Sequence, residues 1–357
     1  TVNNSTAFVF AWTAIYYELL CALFFLVGLW LLIRYAETGE RRYYMAQWVT
    51  YLLAFGVLEL NVVYPALALA YGICCARHII RKIVPMFIPA LAYTALHLAI
   101  APLMKSGPYR MFWDASVFST FWTYWKYALG PSRLIYAHIY PSVYRSGLTV
   151  FLMAALFGFL AWTLYKRQWL TAFFAAWFVI VLAPLLPLRD HITDCYLTIP
   201  MLGLAMWGSY AFALGWRLGI VGRVVASAAL IAYLGVNIPI ARINCVSFYD
   251  NSQEIHKLVD DVVKLSAAHP DRMIVLKGIG PELFWDAIWN RPFRLVGRDQ
   301  IALIYEDGGR IIPLMEPDLV QNFFVRTAAV KEAVAQDHAY VFDVAGGNVR
   351  DVTAEYR

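Results

Sequence analysis

The chain has 357 residues, of which 61% are hydrophobic and only 15% are charged. Soluble globular domains carry about 25% charged residues, so this composition argues against an ordinary soluble domain and favours a membrane protein. The net charge of +5 is uneven, because residues 1–242 carry 17 Lys and Arg against 7 Asp and Glu, whereas residues 243–357 carry 12 against 17. The basic excess therefore belongs to the apolar part of the chain and does not indicate nucleic-acid binding.

Apolar stretches alternate with short polar loops over residues 1–242. A helix needs about 20 apolar residues to cross a bilayer, and we predict eight spans on this basis: 12–34, 43–58, 60–76, 83–101, 146–165, 168–187, 195–215 and 220–241. Alternate loops hold the basic residues Arg34, Arg41, Arg42, Arg77, Arg81, Lys82, Lys166, Arg167, Arg217 and Arg223. Short basic loops stay cytoplasmic. The sequence thus predicts an α-helical polytopic membrane domain whose other face is extracytoplasmic.

The long loop 102–145 is rich in aromatic residues, among them Trp113, Phe118, Trp122 and Trp125. Aromatic residues at this density with few charges are typical of a helix that lies in the membrane interface. Two roles remain open for this loop: an anchor that seals the helical bundle, or a platform beside a lipid-borne substrate.

Residues 246–357 have the pattern of a small extracytoplasmic α/β domain. An amphipathic helix is predicted over 252–268, and a strand is predicted over 273–276. Glu306-Asp307-Gly308-Gly309 and Gly346-Gly347 each lie between apolar β-type runs, which predicts two hairpins, 301–313 and 339–353.

The seven acidic residues of 1–242 are unusual, because five of them fall on the predicted extracytoplasmic face: Glu18, Glu59, Asp114, Asp190 and Asp194. Ionisable groups near a bilayer are costly and usually face the protein interior. The segment 189–194 is the densest cluster, and we select Asp190, His191, Asp194 and Glu59 as candidate catalytic residues. Carboxylates and a histidine can act in acid–base chemistry or bind a divalent cation. A plain polar turn between two helices is the competing interpretation.

Three segments resemble a known family. They are Ala11-Trp12 with Glu18-Leu19-Leu20, Leu58-Glu59 ahead of Val63-Tyr64-Pro65-Ala66-Leu67, and Asp194-Cys195-Tyr196-Leu197-Thr198-Ile199-Pro200 with the Met201–Leu204 run. These runs are similar to segments of the GT-C superfamily of membrane glycosyltransferases, in particular polyprenyl-phosphate-sugar-dependent O-mannosyltransferases and related bacterial membrane proteins. The resemblance covers residues 8–75 and about 180–215. Leu58 stands where the family often has Lys, and Cys195 replaces its usual Arg.

The resemblance implies transfer of a sugar from a polyprenyl-phosphate carrier, with inversion, to a protein or glycan acceptor outside the cytoplasm. An anionic carrier phosphate at the interface would pair with arginines, and Arg189, Arg145, Arg133 and Arg110 are the candidates. The family has an acidic motif in its first outer loop, before the first span seen here. Because the chain begins at Thr1, we expect that motif in a preceding segment. No cofactor is expected apart from an optional divalent cation, and the implied location is a bacterial inner membrane, or the endoplasmic reticulum in a eukaryote.

Two other functions stay open at this point. A non-catalytic membrane scaffold whose C-terminal domain binds a partner is compatible with the departures at Leu58 and Cys195. A transporter or flippase would line a path with intramembrane charges, but the acids here gather at one face and no halves repeat.

Overall fold

The structure is a computed structural model that describes residues 3, 6, 9–10, 15–104, 107, 109–129, 142–268, 271–315, 320–345 and 348–357, with the backbone alone at 142–146, 282, 286, 314 and 345. The chain divides into two compact units, Thr1–Cys245 and Val246–Arg357. The first unit is helical and the second is built on a β-sheet. A mostly helical chain with a small C-terminal sheet unit, as the sequence predicts, is therefore confirmed.

The helical elements follow the predicted apolar stretches closely. Their bounds are α1 Tyr16–Thr38, α2 Arg41–Ala54, α3 Tyr64–Cys75 after a 3-10 turn Glu59–Val63, α4 as the helical run Arg77–Ile100, α5 Ser116–Leu129, α6 Ser142–Tyr165, α7 Leu170–Leu182, α8 Pro200–Arg217 and α9 Ile220–Leu265. The predicted helix over 252–268 is not a separate element, because α9 continues without a break to Leu265.

The predicted count of eight spans is not supported. Among the described residues, four helices are long and apolar enough to cross a membrane: Tyr16–Thr38, Arg77–Ile100, Gly147–Tyr165 and Ile220–Leu265. The helix α2 has 14 residues, which gives about 21 Å at 1.5 Å per residue, against an apolar thickness of about 30 Å. Glu59–Cys75 and Leu170–Leu185 are apolar but also short. The pattern of apolar stretches located these helices correctly, but it overestimated how many of them are long enough to cross a bilayer.

The core of the helical unit is aromatic and lies between α1, α3, α7 and α8. Trp177 is fully buried and donates a hydrogen bond from Nε1 to the Ile199 carbonyl oxygen at 2.9 Å. Its neighbour Phe25 packs edge-on against the Trp177 ring at 6.3 Å and against Tyr64 at 5.6 Å. Gly203 on α8 allows this packing, since an added Cβ would lie 2.8 Å from the Trp177 side chain. The close approach of α7 and α8 therefore depends on one glycine.

The predicted aromatic loop contains the helix α5. One side of α5 is buried, with Tyr124 at 0% and Trp125 at 3% exposure, whereas Phe118 on the other side is 77% exposed. Such a helix contributes to the core and still presents aromatic surface, so both roles considered for this loop remain predictions. Residues 130–141 of the loop lie outside the described part of the chain.

The C-terminal unit contains a five-stranded sheet with the order β3-β2-β1-β4-β5. The strands are β1 Met273–Lys277, β2 Ile301–Ile304, β3 Phe324–Val325, β4 Ala339–Ala345 and β5 Asn348–Asp351, and Thr327–Ala335 forms helix α10. β1 pairs in parallel with both β2 and β4, and β5 pairs antiparallel with β4. The predicted strand 273–276 and the hairpin 339–353 are thus confirmed.

The predicted hairpin over 301–313 is wrong. β2 pairs in parallel with β1 and β3, and the chain after it forms 3-10 turns at Tyr305–Arg310 and Ile312–Leu314. Gly308 packs under Ile312 and Phe324, where an added Cβ would lie within 2.8 Å of both side chains. Gly308 therefore allows close packing and does not form a hairpin turn. The strand β2 pairs with parallel strands that are distant in sequence, and not with the segment that directly follows it.

Candidate functional site

Two glutamates meet at the start of α1. Glu18 lies in the first turn of α1 and is only 3% exposed. Glu59 begins the 3-10 turn before α3 and is exposed. The two carboxylates are close enough for their charges to interact. Repulsion between like charges in a partly apolar site is unfavourable, so this pair is a costly feature of the helical unit.

The segment before α8 joins the same place. Asp194 is 2% exposed and begins the 3-10 turn Asp194–Leu197, and Cys195 is 6% exposed. Cys195 interacts electrostatically with Glu18 as well as with Asp194. The fold therefore gathers carboxylates from three separate parts of the sequence. We refer to Glu18, Glu59, Asp194 and Cys195 as the Glu18 cluster.

His191 lies between two tyrosine rings. Its ring centre is 4.3 Å from that of Tyr109 and 5.8 Å from that of Tyr196. Burial lowers the pKa of His191 from its ordinary value of 6.5, because a charged imidazolium loses solvation there. The imidazole is therefore neutral at pH 7, and a neutral imidazole can accept a proton.

Arg189 is engaged by two carboxylates and a ring. Its Nη1 lies 3.3 Å from Asp114 Oδ2, and its Nε lies 3.6 Å from Asp190 Oδ1. The guanidinium carbon lies 3.6 Å from the centre of the Phe112 ring. Hydrogen bonding from Ser116 and the Arg189 charge hold the pKa of Asp114 below its ordinary value. All three charged side chains are partly exposed, so an anion can reach the guanidinium from solvent.

The structure separates some residues that the sequence grouped. Asp190 is exposed beside Arg189, His191 packs on tyrosines and Asp194 is buried. Within the described part of the chain, no group of three or more His, Cys, Asp or Glu side chains is arranged to hold a metal ion. The predicted catalytic roles of Asp190, His191 and Asp194 stay predictions.

Of the other candidate arginines, the structure describes the side chain of Arg110 alone. Arg110 places its guanidinium 4.8 Å from the centre of the Phe112 ring. Arg133 lies outside the described residues, and Arg145 belongs to α6 at a position where only the backbone is described. Their predicted role in binding phosphate stays a prediction.

Two members of the site escaped the sequence-based selection. Glu18 was noticed among the five acids but was not chosen, although its embedding in an apolar helix is the relevant pattern. Tyr109 was not noticed, and its contact with His191 joins residues that are 82 positions apart. No local pattern in the sequence identifies such a pair.

Glu18 and the basic residue Arg34 lie at opposite ends of α1. Arg34 is 16 residues after Glu18, which corresponds to about 24 Å along a helix. At the Arg34 end, the Tyr44 hydroxyl donates to the Lys82 carbonyl oxygen at 3.1 Å, so the first two basic loops lie together. The predicted assignment of these loops to the cytoplasmic face stays a prediction.

Comparison with protein-family models, with curated proteins and with solved structures gave no significant match.

Proposed function

We propose that the chain is a GT-C-like membrane glycosyltransferase that moves a sugar from a polyprenyl-phosphate donor to a protein or glycan acceptor. The Glu18 cluster is the observation that carries this proposal. A buried glutamate, an exposed glutamate and a buried aspartate lie close to one another in an apolar helical unit. Buried titratable groups collect at functional sites, where acid–base chemistry uses them.

The proposed reaction is an inverting displacement at the anomeric carbon. Glu59, which solvent reaches, accepts the proton of the acceptor hydroxyl, and the acceptor oxygen forms the new glycosidic bond. The bond between the anomeric carbon and the carrier phosphate oxygen breaks, and the phosphate leaves with the electron pair. Arg189 holds the leaving phosphate through its guanidinium. Glu18 sets the electrostatic surroundings of Glu59.

The proposed location is a membrane, with the Glu18 cluster at its extracytoplasmic surface. Four apolar helices have sufficient length, and the basic loops around Arg34 and Lys82 lie at the end that would face the cytoplasm. The shorter apolar helices would complete the bundle inside the bilayer. The C-terminal unit would then lie in the periplasm of a bacterial cell or in the lumen of the endoplasmic reticulum.

A non-catalytic scaffold is the second candidate, and one observation favours it. Arg189 already pairs with Asp114 and Asp190, so its charge is partly neutralised without a ligand. In that case the pairs serve to fasten two loops, and the C-terminal unit would bind a partner.

The test is a transfer assay on the full chain, together with any natural preceding segment, reconstituted in liposomes with labelled polyprenyl-phosphate sugars. Glu59→Gln removes the proposed base and keeps the shape, so we expect a loss of about 100-fold or more in kcat. Glu37→Gln is the matched control, because Glu37 is an exposed acid that pairs with Arg34 at the other end of α1. Absence of transfer by the wild type across several sugars, at normal expression, would favour the scaffold.

A further inference from the structure

The C-terminal unit contains an arginine-lined cavity at the start of β2. Its volume is about 80 Å³, roughly the space that two to three waters take in the liquid. The polar and aromatic residues that line it include Arg291, Arg294, Arg298, Asp299, Asn322 and Phe323. It belongs entirely to residues 246–357 and does not depend on the proposed transferase function.

The backbone is bent to bring these arginines together. Arg291 has a left-handed conformation with φ of 52°, which costs a residue with a Cβ about 1 kcal/mol. The 3-10 turn Pro292–Val296 follows, and Gly297 closes it with φ of 73°. The chain then turns back, and the Arg298 N–H donates to the Phe293 carbonyl oxygen at 2.9 Å. Strain at a residue other than glycine is common where a side chain must be aimed at a ligand.

The charged residues that line the cavity are mostly basic. Three arginines face one carboxylate, that of Asp299, among the described residues that line it, which gives a net charge of +2. Asp299 pairs with Arg294 at 3.5 Å. Arg298 is only 8% exposed, and its Nη2 donates to the Ser266 carbonyl oxygen at 3.4 Å. The domain around the cavity is acidic, with 12 Lys and Arg against 17 Asp and Glu in 243–357, so the basic lining of the cavity differs in sign from the domain as a whole.

An aromatic side chain that lines the cavity lies against one of its arginines. The Arg291 guanidinium lies 5.2 Å from the centre of the Phe323 ring. The Trp289 ring stacks on Phe323, with the two ring centres 5.3 Å apart. A ring that supports a guanidinium fixes its orientation, and a fixed guanidinium binds two oxygens of one anion. Asn322 adds an amide that can donate to a third oxygen.

We propose that this cavity binds the terminal phosphate of a phosphomonoester. Three guanidinium groups with a surplus of two positive charges match a phosphomonoester, which carries about −1.5 to −2 at pH 7, better than a carboxylate with a single charge. The volume admits the phosphate group, and the rest of the ligand lies outside.

The experiment measures binding of labelled inorganic phosphate to the purified full chain in nanodiscs of neutral phosphatidylcholine. We expect saturable binding by the wild type and a loss of affinity of about tenfold or more for Arg291→Met, because one bidentate contact disappears. Arg298→Lys keeps a charge at the buried position and guards against a folding defect. It should weaken binding as well, because an ammonium cannot grip two oxygens.

Arg350→Met is the matched control, since Arg350 is a 74% exposed arginine of the same unit that pairs with Glu355 and does not line the cavity. Competition separates the sources of the phosphate group: displacement by short-chain phosphatidic acid indicates a lipid headgroup, and displacement by glycerol phosphate alone indicates a soluble ligand. Either result supports the site. Absence of saturable phosphate binding, equal binding of acetate, or unchanged affinity in Arg291→Met would each overturn the proposal.

Discussion

The Arg189 guanidinium stacks on the Phe112 ring, with its central carbon 3.6 Å from the ring centre. The backbone reinforces this contact, because the Phe112 N–H donates to the Pro187 carbonyl oxygen at 2.9 Å. The stack fastens the segment before α5 to the segment before α8, and it holds Arg189 in one orientation beside Asp114 and Asp190. The geometry of this arginine is therefore set in advance of any ligand.

Asp114→Asn distinguishes a phosphate-binding Arg189 from a purely structural one. The change removes the carboxylate that competes for the guanidinium, so the KM for the lipid donor should fall, whereas Arg189→Ala should raise it. Both variants should lose about 1 kcal/mol or less of stability, because exposed ion pairs and cation–π contacts are weak. Steady-state transfer kinetics measure the KM for the lipid donor. Equal KM values in the wild type and both variants would show that Arg189 has a structural role and does not bind the donor phosphate.

Asp194→Asn and Asp190→Asn should change different kinetic parameters of transfer, because the structure gives the two residues different surroundings. Asp194 is 2% exposed and interacts with Cys195 inside the Glu18 cluster, so its neutralisation should lower kcat by about 100-fold. Asp190 is exposed beside Arg189, and its change should mainly lower the donor KM, as Asp114→Asn should, because it removes the second carboxylate that pairs with the guanidinium. Neither residue adds apolar length to a span, so membrane insertion should stay normal. The reverse order of the kcat losses would contradict the placement of Asp194 in the site.

The pH dependence of stability should contain a contribution from His191. Its folded pKa is lower than the ordinary value of 6.5, so the unfolded state binds the proton more readily. The contribution is therefore fully present above pH 6.5, and it is lost as the pH falls from there towards the folded pKa. Thermal unfolding between pH 5 and 8 measures it, with His191→Phe as the variant that keeps a ring against Tyr109. An identical pH profile for His191→Phe would show that the ring does not titrate in this way.

Gly203→Ala should destabilise the helical unit by about 1–3 kcal/mol, because overpacking forces helices apart. An added Cβ would lie 2.8 Å from Trp177 side-chain atoms and 2.9 Å from the Phe174 carbonyl oxygen. Gly208 provides a control on the same helix, since nothing lies within 4 Å of its Cβ position. Gly208→Ala should be neutral or stabilising by up to about 1 kcal/mol, as Ala favours helix. Thermal unfolding in detergent compares the two, and equal melting temperatures would show that α7 and α8 are not packed this closely.

Local patterns were enough for part of the C-terminal unit. Gly346-Gly347 between two apolar runs predicted the β4–β5 hairpin, because adjacent strands joined by a short turn form each other's nearest partner. The same logic failed at Gly308-Gly309, where β2 pairs with β1 and β3 in parallel. Parallel partners are distant in sequence, and a turn-like glycine pair carries no information about them.

In the candidate site, too, the sequence identified individual residues, whereas the fold decided which of them lie together. Glu59, Asp190, His191 and Asp194 were recognisable as rare polar residues in an apolar chain, and the structure brings Glu59 and Asp194 to Glu18. It also assigns Asp190 to Arg189 and surrounds His191 with tyrosines. These separations depend on side-chain directions around a turn, which spacing alone does not define.

The sequence by itself determined the positions of the apolar helices, the division into an apolar N-terminal part and a polar C-terminal unit, and the uneven charge. These properties follow from local composition and periodicity, which each stretch carries regardless of its neighbours. Tertiary structure alone decided which helices keep full length, which strands pair in parallel, and which acids share one site. It did so because close packing, such as Gly203 against Trp177, and long-range contacts, such as Tyr109 with His191, depend on residues that meet only after the chain has folded.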